Sequence, residues 1–192
     1  MNGLLRRLPR VSVTAKMLQG WPRGARLVSG DLIRRYGFPH EATPDALVWY
    51  FTGPWKRTVV HRRGALHRFP YRHWDYVEQT VDLHVPAEAC AALVAFNGSL
   101  VVDRTRGELT VHCLNEATNF LIVNLAHDIV LGKVSAEQAR EICASAAEAM
   151  RRRWPVVYAV GLSFAPEVTI KEAVSGTADP DRELKALPVR RT

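Results

Sequence analysis

The stretch that most constrains the fold is residues 114–131, LNEATNFLIVNLAHDIVL. Wound at about 100° per residue, it shows apolar side chains in nearly every direction around its axis. A helix apolar all round belongs in an interior. Set into it are Glu116, Asn119, Asn124, His127 and Asp128. With Glu116 taken as zero, Asn119 falls at about −60°, His127 at about 20°, Asn124 at about 80° and Asp128 at about 120°. The five share one arc, and buried polar groups need partners. His127 and Glu116 are therefore candidate acid–base groups, and Asn119, Asn124 and Asp128 candidate ligand contacts.

Each of these residues also has a purely structural account. Asn115 is a natural N-cap, and a carboxylate at Glu116 suits the first turn of a helix. Gly132 is a left-handed stop. Asn119, Asn124 and His127 could each bond a neighbouring loop.

Residues 75–85, DYVEQTVDLHV, alternate at the strand period. Tyr76, Glu78, Thr80, Asp82 and His84 share one face, and Val77, Gln79, Val81, Leu83 and Val85 the other. Residues 99–104 and 108–113 read as a hairpin, whose second arm sets Glu108, Thr110 and His112 against Leu109, Val111 and Cys113. Two arrangements stay open. The polar faces turn toward the long helix and bring Glu78, Thr80, Asp82, His84, Thr110 and His112 into a pocket with His127, or they form the ordinary solvent face of a sheet.

Around these elements, residues 46–52 form a strand that stops at Gly53-Pro54. Residues 57–62 and 66–69 form a hairpin turning at Gly64, and 156–164 an interior strand. Helices are expected at 29–37, 86–96 and 135–153, the last opened by a Ser135/Gln138 capping box. The pattern is α+β: an antiparallel sheet of about six or seven strands, packed on a buried central helix (114–131) and a second amphipathic helix (135–153). Residues 1–28 are expected to be a basic arm or strap, 29–173 a single domain, and 174–192 a disordered tail.

No apolar run reaches about 18 residues without a polar break, so no membrane span is expected. Three widely spaced cysteines, Cys90, Cys113 and Cys143, fit reduced thiols in a cytoplasmic protein. Charge is uneven: residues 1–72 hold 14 of the 26 Lys and Arg but three of the 19 acids. The segment 49–74 interleaves aromatic and basic residues. It suits nucleic-acid binding, an anionic small molecule anchored by Lys56, Arg57, Arg62 or Arg68, or arginine stems packed on core aromatics.

Several chemistries are disfavoured. The histidines show no HxxxH, HExxH or zinc-finger spacing, and Glu116 and His127 lie about 16 Å apart along a helix, so no metal site is expected. There is no GxGxxG and no GxxxxGK[ST], and Gly161-Leu162-Ser163 does not complete a nucleophile elbow. Cofactor and reaction are not readable. The expectation is a protein that binds a small organic ligand, with an anionic one and its chemical transformation both open to it. The candidate site is His127, Glu116, Asn119, Asn124, Asp128, Asp82, His84, His112 and Arg57. A nucleic-acid module built on 49–74 and a structural or partner-binding role are the alternatives.

Overall fold

A computed structural model of the chain describes residue 14 and residues 16–166. The elements run α1 (Arg23–Tyr36), β1 (Glu41–Ala42), β2 (Ala46–Thr52), β3 (Trp55–His67), β4 (His73–Asp82), α2 (Ala87–Phe96), β5 (Leu100–Asp103), β6 (Glu108–Cys113), α3 (Glu116–Val130) and α4 (Ala136–Arg151), with a 3₁₀ turn at Val157–Ala159. The strands make one antiparallel six-stranded sheet in the order β1-β2-β3-β4-β6-β5. The fold is α+β, as the hairpin-rich sequence implies. Both edge strands are short, which limits pairing with other chains. Among the described residues, no helix is long and apolar enough to cross a membrane.

Alternation in β4 sets the layers. Val77, Gln79 and Val81 are fully buried under the helices, while Glu78 and Asp82, one residue out of phase, are only partly covered. On the helix side lie two apolar clusters. One gathers Trp21, Leu32, Leu47, Trp49, Val60 and Val77 around α1. The other gathers Trp55, Val81, Leu109, Val111, Phe120 and Leu125 around α3. Trp55 and Phe120 stack at 4.9 Å between ring centroids. Fully burying side chains of this size stabilises by about 1.5–3 kcal/mol each.

The long apolar run forms α3 as its pattern demands. Asn115 caps it by accepting from the Thr118 amide at 3.0 Å, and Thr118 returns a contact to the Asn115 amide at 3.2 Å. Gly132 takes φ 68° just past the end, the conformation that ends helices without a Cβ penalty. Ser135 and Gln138 cap α4 reciprocally.

The structure corrects four sequence expectations. Residues 57–69 are not a hairpin turning at Gly64: β3 runs on to His67, with a bulge where its register against β4 shifts between Val60 and Ala65. A Cβ at Gly64 would lie 2.9 Å from the Asp75 carbonyl oxygen, so the glycine serves close strand approach rather than a turn. Residues 156–164 are not an interior strand but a 3₁₀ turn and irregular chain. The helix expected at 29–37 begins at Arg23, six residues before Ser29, so 23–28 belong to a helix of the body and not to an arm. The strand expected over 75–85 is shifted to His73–Asp82. The rest of the expected arm, apart from residues 14 and 16–22, and the expected tail at 174–192 lie outside the described residues.

Candidate functional site

The polar arc of α3 divides into two groups, each occupied by the protein itself. Glu116 is buried where the two apolar clusters meet. Its Oε1 accepts from the Tyr36 hydroxyl at 2.7 Å, from Trp55 Nε1 at 2.7 Å and from Gln79 Nε2 at 3.1 Å. Its Oε2 accepts from Arg35 at 2.7 Å. Gln79 in turn accepts from Asn119 at 2.9 Å, and Asn119 also donates to the Val77 carbonyl at 3.2 Å. Burial, and then the hydrogen bond to Glu116, push the Tyr36 hydroxyl above the ordinary phenol range. A carboxylate held by four donors has little capacity left to accept a substrate proton. Glu116 and Asn119 thus join α1, β3, β4 and α3 across the core.

Asn124 and Asp128 fasten the chain that follows α4. Asn124 Nδ2 donates to the carbonyls of Tyr158 (3.0 Å) and Gly161 (2.8 Å), while its Oδ1 accepts from the Ser163 amide (2.8 Å) and hydroxyl (3.1 Å). Asp128 accepts from the Tyr158 hydroxyl at 2.6 Å and from Lys133 at 3.1 Å. The His127 ring lies flat on Phe164, with 4.0 Å between centroids. Asn124 thus bonds a neighbouring loop, whereas Asp128 is buried and does not face water near the helix end.

The strand candidates lie across the sheet from this helix. Arg57, Glu78, Thr80, Asp82, Thr110 and His112 alternate with the helix-facing residues and occupy the open face. Asp82 pairs with Lys56 at 2.8 Å, which also reaches Glu108 at 2.8 Å. His84 lies beyond β4 and is exposed. Asp82, His84 and His112 therefore form no pocket with His127, because the pleat sends Val77, Gln79 and Val81 toward the helices instead. In the segment 49–74, Trp49 and Trp55 are buried in the core and Lys56 is engaged in ion pairs. This leaves Tyr50, Phe51 and Trp74 as its exposed aromatics.

Two clusters with metal-ligating chemistry emerge instead, one on each face. On the open face, His61 of β3, Glu78 of β4 and His112 of β6 bring their ligand atoms within 4.8 Å of one another. His61 Nε2 is 3.0 Å and His112 Nε2 2.9 Å from the same oxygen, Glu78 Oε2. The imidazoles meet edge to face at 5.2 Å. Register explains the meeting: Glu78 is paired with His112 and with Val59, so His61 is diagonal to it on the same face. Arg57 stands 3.8 Å from Glu78 Oε1 and donates to Thr80 at 3.1 Å. The contacts with His112 and then His61 hold the Glu78 carboxyl well below the usual carboxylate range. The two histidine side chains are 35% and 37% exposed, so solvent or a ligand reaches the centre of the group.

On the helix face, His67, His73 and Asp75 form a second group, with Cys113 beside it. Pairing sets His67 opposite His73, and Asp75 follows two residues on. Burial works against a charged His73 ring, but Asp75, Cys113 and the Tyr71 carbonyl outweigh it and raise its pKa to about 10. Burial lowers the pKa of His67 and pushes the nearby Cys143 thiol up to about 12.

Glu78 and His112 were expected beside a pocket on the helix side, whereas His61 on one face, and His67, His73, Asp75 and Cys113 on the other, were not among the expected site residues. Their spacings match no motif, and strand register alone brings them together. Comparison with protein-family models, with curated proteins and with solved structures finds no match.

Proposed function

We propose that the open face of the sheet carries a divalent-metal site, ligated by His61 Nε2, Glu78 Oε2 and His112 Nε2, that acts on small anionic esters by hydrolysis. The observation that supports this reading is the convergence of two imidazoles and one carboxylate from three adjacent strands on a solvent-reached point. Two histidines and a carboxylate leave coordination positions open, the arrangement of catalytic rather than structural metal sites.

A metal held there by His61, Glu78 and His112 would supply Lewis acidity and activate water for ester hydrolysis, which releases the acid and the alcohol. Arg57 holds the anionic group: its fork keeps donors to spare after its bond to Thr80. Glu78 offers its carboxylate oxygen at the point where the two imidazoles converge. This reading keeps a small anionic ligand and moves it from the helix side of the sheet to the open side.

The test is a calorimetric titration of the chelator-stripped chain with Co²⁺ or Zn²⁺, followed by hydrolysis of p-nitrophenyl phosphate and p-nitrophenyl acetate. Saturable binding that falls more than about 100-fold in the double variant His61→Ala/His112→Ala is expected, since even outer-shell changes cost 10–100-fold in affinity. Unchanged affinity in that folded double variant overturns the site. Metal binding without any metal-dependent turnover overturns the hydrolytic reading.

A further inference from the structure

We infer that the groove between α2 and β5 binds the anion of a medium-chain fatty acid, with the hydrocarbon tail lying along the helix and the carboxylate on Arg104. This site goes beyond the open-face reading and shares no residue with it.

The sequence of α2, AEACAALVAF, holds one charged residue, Glu88. A surface helix ordinarily turns a charged or polar face to water. This one turns an apolar face outward as well as inward: Leu93 and Phe96 are buried, yet Val94 is 67% exposed. Leu93 and Val94 lie three and four residues beyond Cys90, so the three share one side of the helix. Beside them runs β5, an edge strand of the sheet, whose Leu100, Val101 and Val102 supply the opposite wall. The groove between helix and strand has a volume of about 330 Å³, at the small end of the range of about 300–1,000 Å³ for ligand pockets. The Cys90 thiol donates back to the Pro86 carbonyl at 3.6 Å, so the wall stays apolar there too.

Arg104 supplies the polar end. It follows β5 directly, lines the same groove and is exposed. Among the described residues it has no hydrogen-bond or ion-pair partner. Its neighbour Asp103 is taken by Arg106, whose amide lies at 3.0 Å and guanidinium at 3.6 Å. An apolar groove that ends in one unpaired guanidinium matches an amphiphile with a single anionic head. The methylenes gain by leaving water, and the guanidinium fork takes a carboxylate through two parallel bonds.

A peptide is a poorer match. A strand added to β5 would find an edge of only four residues, and strand addition draws its affinity from main-chain hydrogen bonds. A hydrocarbon tail needs none.

The experiment titrates the full-length chain calorimetrically with hexanoate, octanoate and decanoate, each below its micelle concentration, and with 1-octanol. Saturable binding of one carboxylate per chain is expected, with affinity rising roughly 10-fold for each added pair of methylenes. Arg104→Ala should weaken octanoate about 5-fold and leave 1-octanol unchanged. Val94→Glu, which sets a carboxylate at the rim of the groove, should abolish octanoate binding. Both substitutions fall at exposed positions, and circular dichroism checks that each variant is folded. If Val94→Glu does not fold, the chain-length series and Arg104→Ala decide. No saturable binding, an affinity indifferent to chain length, or wild-type octanoate affinity in either folded variant overturns the inference. Sedimentation of the ligand-free chain adds a further arm. A monomer agrees with an open groove, whereas a dimer that Val94→Glu dissociates means that a second copy covers it, and overturns the fatty-acid assignment.

Discussion

His112 and Cys113 are consecutive in β6, yet the first joins Glu78 and His61 on the open face and the second joins His73 on the helix face. The pleat therefore places one strand end in two chemical environments: one wet, and one dry and rich in sulfur and nitrogen donors. Substitutions at these two positions should separate cleanly. His112→Ala alters the open site and leaves the core packed, whereas Cys113→Ser alters the buried group.

Glu116 ties four donors together between α1, the sheet and α3. Glu116→Ala leaves the donors of Arg35, Tyr36, Trp55 and Gln79 without their shared acceptor. Leaving donors unsatisfied beside the core in this way costs about 1–3 kcal/mol. Urea denaturation should show that loss, while Co²⁺ affinity at the open face, measured well below the melting temperature, should stay at the wild-type value. An unchanged unfolding free energy would contradict the structural role.

Stability should decline on the alkaline side, and Tyr36 should account for part of the slope. Burial and Glu116 raise its pKa in the fold, against about 10 in the unfolded chain. The folded state then holds the proton longer, so the contribution is complete below pH of about 10 and is lost as pH rises beyond it. Lys56, raised by Asp82 and Glu108, and Cys143, raised by burial to about 12, act in the same direction. In denaturation midpoints measured against pH, Tyr36→Phe should lower the neutral plateau and flatten the alkaline fall. A slope identical to wild type would refute the assignment.

Asn124 should control the order of the chain after α4. Asn124→Ala removes its bonds to Tyr158, Gly161 and Ser163, at a cost of about 1–3 kcal/mol. Hydrogen exchange should show faster exchange of the Ser163 amide, with α3 itself still protected. Full protection at Ser163 in the variant would mean that other contacts hold the segment.

Arg57 should matter for substrate and not for metal. Arg57→Ala is expected to raise KM for p-nitrophenyl phosphate about 10-fold or more, corresponding to a lost charged hydrogen bond of about 1.5–3 kcal/mol. KM for the neutral ester p-nitrophenyl acetate and Co²⁺ affinity should change little. Equal losses on both esters would remove Arg57 as the anion anchor.

Periodicity carried most of the fold and little of the site. The α3 run, its cap at Asn115 and its glycine stop at Gly132 are local signals, and so is the alternation that separates Glu78 from Gln79. Local signals fail where tertiary contact decides. Gly64 looks like a turn residue but marks a close approach of two strands. Residues 156–164 look like a strand because they are apolar, but Asn124 and Asp128 tie them down as irregular chain. The metal-ligating groups were hidden for a deeper reason. His61, Glu78 and His112 are brought together by the register of three strands, and no single segment encodes that register. Even the polar residues of α3 could be found from sequence only as a group in need of partners. Which partners they take depends on Tyr36, Trp55 and Gln79, far away along the chain.

One consequence follows from the one-sided sheet. From Val77 to Asp82, alternate residues of β4 face the helices and those between face the other side of the sheet, so the two sets of positions can change separately. Replacing Val77, Gln79 or Val81 disturbs the folded body. Replacing Glu78 or Asp82 changes a partly covered chemical surface on the other side of the sheet. Such a strand lets a lineage exchange one chemistry for another at alternate codons without first finding a new way to fold.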